Sequence, residues 1–222
     1  MHFIFHIEDQ SSKKAMDNLI PKMLGDGITY EIYPYKGIGE IPKNLKPKTD
    51  ASKRMLLDQL PRILRGYGRV PNCGTIVIIC DLDDNNKEKR LSELHGVLNV
   101  CNPKPKVLFC LAIEEFEAWY LGDLDAVRAA YPKAKEKILN SYKNDEICGT
   151  WEVLADAVYQ GGHKELKKKG WQAIGKQKSV WAETISPLMN VDNNRSPSFN
   201  NMYAQLKDIV TSANNITGDI QS

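Results

Sequence analysis

The chain has 222 residues, of which 42% are hydrophobic and 26% charged, and its 30 basic and 28 acidic side chains leave a net charge of +2. These totals indicate a globular protein with one core, or one core and a smaller appendage, and they exclude a disordered or collagen-like chain. Because the charges nearly balance, any affinity for nucleic acid must come from a local patch.

Other features of the composition bear on location and metal content. The five cysteines form no CxxC pair, so neither a disulfide framework nor a zinc knuckle is expected. Acidic residues follow the first apolar run too early for a signal peptide, and no segment is long and apolar enough to span a membrane. The sequence therefore predicts a cytoplasmic protein without a membrane partner.

The first half of the chain alternates strand-like and helix-like segments. Apolar or alternating runs predict strands at residues 2–7, 28–33, 75–80 and 107–113. Between them, apolar residues at helical spacing predict a helix capped by Ser11 or Ser12 and kinked or shortened at Pro21, a second helix capped by Asp50, and a third over residues 87–100. This order favours right-handed crossovers and a largely parallel sheet flanked by helices, an α/β fold.

The character of the sequence changes after about residue 125. Strand-length apolar runs stop, and helices are predicted at residues 125–131, 151–159, 179–189 and 197–213. We therefore expect an α/β domain over residues 1–125 and a helical C-terminal extension over residues 126–222 that packs on it.

Acidic residues stand where two of the apolar runs stop. Glu8 follows the first run, and Asp81 and Asp83 follow the third. In parallel sheets, ligands bind outside the carboxyl ends of the strands, and alternate residues at a strand end can face one Mg²⁺ ion, which takes oxygen ligands. Helix capping is the competing explanation for each acid taken alone, but only one residue can cap a given helix. Function is favoured for the Asp81 and Asp83 pair.

Glu117 is a carboxylate on a stripe that should be buried. On a helix it falls between Phe116 and Tyr120, whereas Glu114 and Glu115 lie off the stripe and should be solvated. A buried carboxylate needs an arginine, a capping amide or a metal as its partner, and the sequence leaves these alternatives open.

The segment from residue 163 to residue 178 holds six lysines and Trp171 against one acid. A solvated surface is the commoner meaning of such a cluster. The functional alternative is a nucleic-acid patch with an aromatic stacking platform. Candidate contacts there are Lys167, Lys168, Lys169, Trp171, Lys176 and Lys178. Near residue 196, Ser196 and Pro197 predict a helix start, and Arg195, Ser196 and Ser198 are further candidates for phosphate contact.

These motifs together resemble a known group of proteins. A Glu after the first strand and a DxD after a later one are similar to the Toprim domain of topoisomerases, bacterial primases and OLD-family nucleases. The resemblance is sharper to the Toprim-like domain-of-unknown-function family 4276, through Glu8, the acidic run Asp81 to Asp84, the segment Glu117-Ala118-Trp119 with Asp123, and Ser196-Pro197-Ser198-Phe199. One departure is Asp9, which stands where many Toprim proteins have Gly.

The resemblance implies a Toprim-like, Rossmann-like fold and a Mg²⁺ or Mn²⁺ site. Asp81 and Asp83 would hold the ion and Glu8 would act as general acid/base. The full set of expected metal ligands is Glu8, Asp81, Asp83, Asp84 and Glu117. It also implies a setting among anti-phage defence or mobile-element genes, with an ABC-type or AAA-type ATPase as partner. We expect a metal-dependent nuclease acting on DNA or RNA. The alternative is a metal- or partner-binding sensor subunit without turnover, and a homo-oligomer is compatible with either.

Overall fold

The computed structural model of the chain describes residues 1–46, 54–146 and 149–218. It has the expected α/β architecture, in which one all-parallel, Rossmann-like sheet carries helices on both faces. The strands are β1 (His2–Ile7), β2 (Thr29–Pro34), β3 (Thr75–Asp81) and β4 (Lys106–Ala112). Their order is β2-β1-β3-β4, which confirms that the first, third and fourth apolar runs are neighbours and that the second lies at an edge.

Ten α-helices lie in the described part of the chain. Three occur between the strands: α1 (Gln10–Leu24), α2 (Leu56–Gly68) and α3 (Lys87–Asn99). Seven follow the sheet: α4 (Glu117–Leu121), α5 (Leu124–Ala130), α6 (Glu136–Ser141), α7 (Thr150–Val158), α8 (Gly162–Lys168), α9 (Trp171–Ile185) and α10 (Pro197–Gly218). The short α6 and α8 were not predicted, and α9 begins at Trp171 rather than at Ser179. None of the described helices combines the length and the apolar character needed to cross a membrane.

The sheet separates two hydrophobic layers. Alternate residues of a strand face opposite sides of the sheet, so Val77 and Ile79 pack with α1 and the C-terminal helices, whereas Ile76 and Ile78 pack with α2 and α3. The first layer is the larger one and continues through α4, α7, α9 and α10. The C-terminal helices therefore cover one face of the sheet next to α1.

The cap predicted for α1 is wrong. Its N-cap is Asp9, whose side chain accepts a hydrogen bond from the Ser12 N–H at 2.7 Å, so neither Ser11 nor Ser12 is the cap. Pro21 does not end the helix, which continues past it to Leu24 and is capped by Gly25. The proline lies in the last turn, so few residues follow it in the helix. The predicted cap of the second helix, Asp50, lies outside the described residues.

Candidate active site

Two acidic side chains meet where β1 and β3 end. Ile7 pairs with Ile79, so Glu8 and Asp81 leave the sheet at the same carboxyl edge. Glu8 Oε2 accepts a hydrogen bond from the Asp81 backbone N–H at 3.0 Å. Burial raises the pKa of Glu8 to about 7 although this hydrogen bond opposes the shift, and burial and the charge of Glu8 raise the pKa of Asp81. Carboxylates placed this closely favour a retained proton or a bound cation.

The backbone that follows β3 and β4 is held in an uncommon conformation. Asp83 and Glu114 both have left-handed backbone angles, with φ of 49° and 62°. The Asp83 N–H donates a hydrogen bond to the Glu114 carbonyl oxygen at 2.8 Å, and the Leu82 N–H donates one to the Ala112 carbonyl oxygen at 3.0 Å. Left-handed conformations cost about 1–2 kcal/mol for a residue with a side chain and persist where the surroundings impose them. These hydrogen bonds fix the acidic segment to the end of the next strand.

The acids after β3 do not cap the next helix. The N-cap of α3 is Asn86, whose side chain accepts a hydrogen bond from the Lys89 N–H at 2.8 Å. Capping of α3 therefore does not explain Asp81, Asp83 or Asp84. Asp83 and Asp84 are exposed at the rim, and partial desolvation together with the charge of Glu115 raises the pKa of Asp83.

Glu117 is buried at the same edge, as its position on the apolar stripe predicts. It is the first residue of α4 and only 3% exposed. Its Oε2 atom lies 3.2 Å from Lys178 Nζ but accepts no well-directed hydrogen bond from a described residue. Burial raises the pKa of Glu117 to about 7 against the opposing charge of Lys178, and the charge of Glu117 contributes to the raised pKa of Asp81.

Lys178 on α9 supplies the positive charge at this edge. Its Nζ lies 3.0 Å from Glu115 Oε1 and 3.2 Å from Glu117 Oε2, and its side chain is 17% exposed. Burial alone would lower the pKa of Lys178, but the charges of Glu117, Glu115 and Asp81 outweigh burial and raise it. Lys178 was predicted as a surface contact for nucleic acid, and in this structure it points into the acidic edge instead.

A signal for this position exists in the sequence. Ile174, Lys178, Trp181 and Ile185 follow one another at helical spacing, and the three apolar members are buried. A lysine within a buried stripe needs an acidic partner. Starting the predicted helix at Ser179 left Lys178 outside the stripe and concealed its role.

The prediction that Glu114 and Glu115 are solvated is wrong, because both cap α7. The Glu114 carboxylate accepts hydrogen bonds from the backbone N–H groups of Gly149 and Thr150, the latter at 2.7 Å. Glu115 Oε2 accepts from the Trp151 N–H at 3.2 Å and from the Thr150 hydroxyl at 3.3 Å. Carboxylates are stabilised at helix N-termini, where unpaired N–H groups carry partial positive charge.

We call Glu8, Asp81, Asp83, Glu115 and Glu117 the acidic cluster. In the described residues, no three or more Asp, Glu, His or Cys side chains are arranged as a ready-made metal centre. The cluster nevertheless fits Mg²⁺ by atom type and charge, since Mg²⁺ takes carboxylate oxygens and keeps several waters. The cluster has five carboxyl groups, and among the described residues one ammonium group, that of Lys178, is paired with two of them. A cation or retained protons must offset the remaining carboxyl groups, so the chemistry is compatible with a bound cation.

Ser196 and Ser198 do not lie on a phosphate-binding surface. Both are buried, and the Asp145 carboxylate accepts hydrogen bonds from the Ser196 hydroxyl at 2.9 Å and from the Ser198 N–H at 2.6 Å. The N-terminus of α10 is thus occupied by a carboxylate of the chain itself, which corrects the prediction of phosphate contact there. The Ser198 hydroxyl also accepts a hydrogen bond from Trp119 Nε1 at 3.0 Å, which joins this motif to the helix that carries Glu117. Arg195 remains exposed.

The other candidate contacts for nucleic acid lie on the surface. Lys167 pairs with Glu152 at 2.9 Å and Lys168 with Glu165 at 3.3 Å. Lys169 donates a hydrogen bond to the Tyr159 hydroxyl at 2.8 Å. Lys176 and Trp171 are exposed, so a role for this patch in nucleic-acid binding stays a prediction.

Comparisons with known proteins found one family. The model of the family described as "Domain of unknown function (DUF4276)" matches residues 7–207, which contain every member of the acidic cluster and Lys178. The comparisons with curated proteins and with solved structures gave no significant match.

Proposed function

The chain belongs to domain-of-unknown-function family 4276, and from this membership and the acidic cluster we propose that it is a Mg²⁺- or Mn²⁺-dependent nuclease of the Toprim type. It hydrolyses phosphodiester bonds of DNA or RNA, as an effector of an anti-phage defence or mobile-element system that works with an ABC-type or AAA-type ATPase. The observation that carries the proposal is the group of buried carboxyls at the carboxyl edge of a parallel sheet, where such sheets bind ligands.

The acidic residues would have two roles, as oxygen ligands of the cation and as carriers of a proton, and Glu8 would take part in both. Glu8, Asp81, Asp83 and Glu117 would hold the divalent cation, with the exposed Asp84 as a further oxygen donor beside them. When bound, such an ion polarises a phosphodiester and neutralises charge that develops on its oxygens.

Glu8 is suited to move protons near neutral pH. Without a bound cation its pKa is raised to about 7, mainly by burial, and general acid/base groups work best when the pKa lies near the working pH. The hydrogen bond from the Asp81 N–H fixes Glu8 Oε2, so proton transfer at this residue falls to Oε1. Lys178 keeps a positive charge at the edge, which favours an anionic substrate.

The test is hydrolysis of nucleic acids in the presence of Mg²⁺ or Mn²⁺. Single-stranded DNA, duplex DNA and RNA should be incubated with the purified protein, with and without the partner ATPase, and EDTA should stop any cleavage. Asp81→Asn should reduce the rate by roughly a hundredfold or more, the order expected for loss of electrostatic stabilisation of a transition state. The matched control is Asp125→Asn, because the Asp125 side chain is 86% exposed and pairs with Arg128 on the surface. Equal activity of Asp81→Asn and wild type would refute this site.

A second function has its own supporting observation. The carboxyl groups of Glu115 and Glu117 are arranged around the ammonium group of Lys178, at 3.0 Å and 3.2 Å. This arrangement suits a subunit that binds a metal or a partner without turnover. Calorimetry that detects cation binding, together with no cleavage of any substrate when the ATPase is present, would favour the sensor subunit over the nuclease.

A further inference from the structure

Trp171 differs from the other tryptophans of the chain in its exposure. Its side chain is 80% exposed, whereas Trp119 and Trp181 are fully buried and Trp151 is 6% exposed. Large aromatic side chains are most stable when much of their surface is removed from water, and exposed ones are typical of binding surfaces. Packing of α9 against the rest of the described protein therefore does not explain why a tryptophan stands at this position.

The position of Trp171 on α9 relates it to the acidic cluster. Lys178, which reaches Glu117, follows Trp171 by seven residues, nearly two full turns, so both lie on the same side of the helix. At 1.5 Å per residue their backbones are about 10 Å apart along the axis. The indole is therefore on the flank of α9 that leads to the acidic cluster.

One position between these two residues carries no side chain. Gly175 lies on the same side, it is exposed, and a Cβ atom placed there would have nothing within 4 Å apart from its chain neighbours and the adjacent backbone of the helix. Glycine inside a helix costs about 1 kcal/mol relative to alanine. No close contact explains why glycine stands at position 175, since a Cβ atom would fit there. Trp171, Gly175 and Lys178 thus form a strip, open at the middle, that runs from an aromatic ring to the acidic cluster.

The surroundings of the strip are basic. Lys168 and Lys169, just before the helix, are both exposed, and the Lys168 side chain is 75% exposed. Basic side chains beside an aromatic platform match a phosphate backbone with unpaired bases, because the lysines follow the phosphates and the ring stacks on a base. In a duplex the base faces are already stacked on one another and cannot reach the indole.

We propose that the strip from Trp171 past Gly175 toward Lys178 is a base-stacking subsite in which the Trp171 indole stacks on a base, and that the substrate is single-stranded nucleic acid. The inference rests on the proposed nuclease function, which it extends by naming the substrate class. The distance of about 10 Å corresponds to about three nucleotides at 3.4 Å per nucleotide of a stacked strand. The base held by Trp171 is therefore a few nucleotides away from the phosphate at the acidic cluster.

The test measures binding in EDTA, so that neither a metal ion nor turnover is needed. Because the other tryptophans are buried, Trp171 is the residue whose fluorescence a stacked base should quench. Short oligo(dT) should quench the emission, while a duplex of matched length and inorganic polyphosphate should not. For the variants, which lack this indole, binding is followed by the fluorescence anisotropy of a fluorescein-labelled oligo(dT). Trp171→Ala should weaken oligo(dT) binding about tenfold, in the range measured for one stacked base. Trp171→Phe should keep most of the affinity.

Two further variants separate stacking from folding and from charge. Gly175→Leu covers the strip, and it should weaken oligo(dT) binding without lowering the melting temperature, since nothing outside the neighbouring helix backbone lies within 4 Å of a Cβ atom at that position. Gln172→Ala, at an exposed neighbouring position, should bind like wild type. Equal quenching by duplex and oligo(dT), unchanged affinity of Trp171→Ala, or an emission change with the ATPase but not with oligo(dT) would each overturn the proposal.

The outcomes also separate this proposal from the nuclease proposal. If oligo(dT) binding depends on Trp171 but no substrate is cleaved with any divalent cation, the nuclease function fails and the stacking subsite stands. If cleavage depends on Asp81 but not on Trp171, and duplex is cut as well as single strands, the stacking subsite fails and the nuclease function stands.

Discussion

Replacing Lys178 with methionine tests the charge arrangement of the acidic cluster. Methionine keeps the length of the stem and removes the ammonium group that lies 3.2 Å from Glu117 Oε2 and 3.0 Å from Glu115 Oε1. Glu115 keeps hydrogen bonds from Thr150 and Trp151. Glu117 is nearly fully buried and loses the cation that stabilises its charge.

Removing one partner of a buried ion pair commonly costs about 3–5 kcal/mol. Glu117 can avoid part of this cost by keeping a proton, because its pKa is already raised from 4.5 to about 7. The folded variant then holds a proton above pH 7 that the unfolded chain and the folded wild type release. Each pH unit above 7 therefore adds about 1.4 kcal/mol to the destabilisation, which gives about 1.4 kcal/mol at pH 8 and about 2.7 kcal/mol at pH 9.

The assay is chemical or thermal unfolding of both proteins in EDTA between pH 6 and pH 9. For a chain of this size the melting temperature of Lys178→Met should fall below that of wild type by roughly a further 3–6 °C for each pH unit above 7. Lys176→Met is the matched control, since Lys176 is exposed on the same helix, and its effect should not depend on pH. A destabilisation by Lys178→Met that is constant from pH 6 to pH 9 would contradict the reasoning.

Two further predictions concern stability. The raised pKa values of Glu8 and Glu117, about 7 for both, mean that the folded protein binds more protons than the unfolded chain between pH 4.5 and pH 7. The free energy of unfolding in EDTA should therefore fall across this window by up to about 3 kcal/mol for each group, and urea titrations that show a rise instead would refute the burial of these carboxyls. Gly122→Ala should destabilise by roughly 2 kcal/mol or more, since its Cβ would lie 2.0 Å from Asn194 Oδ1. Gly175→Ala, with open space around it, should be neutral or stabilising by up to about 1 kcal/mol, and equal melting temperatures of these two variants would contradict the packing described at Gly122.

Much of the sheet could be predicted because its strands are short, continuous apolar runs separated by helices. Residues 75–80 are buried throughout as a central strand, and the acids that follow them lie at the carboxyl edge for the same reason. The position of Glu117 followed from helical spacing alone. These are local patterns, and parallel pairing brings their ends together without further information.

The parts that could not be predicted depend on contacts between distant segments. Asp145 caps a helix that begins 52 residues later in the chain, at Pro197, and no spacing rule connects the two. Glu114 and Glu115 cap α7 from the end of β4, so their solvation was predicted wrongly although they lie off the apolar stripe. The burial of Lys178 could be predicted in part. The apolar stripe that contains it is visible in the sequence when the helix is taken to begin at Trp171.

The position of Lys178 in α9, late in the chain, has a consequence for folding during synthesis. Glu8, Asp81, Glu115 and Glu117 all leave the ribosome before residue 178, so a nascent chain that has formed the sheet carries these acids without their ammonium partner. The last helices must then dock before the charge of the acidic cluster is offset. A protein shortened before α9 keeps the strands and the acids, but its cluster lacks Lys178. Such a fragment would carry the acidic residues of the site with different proton and cation affinities, and its behaviour would not represent that of the whole chain.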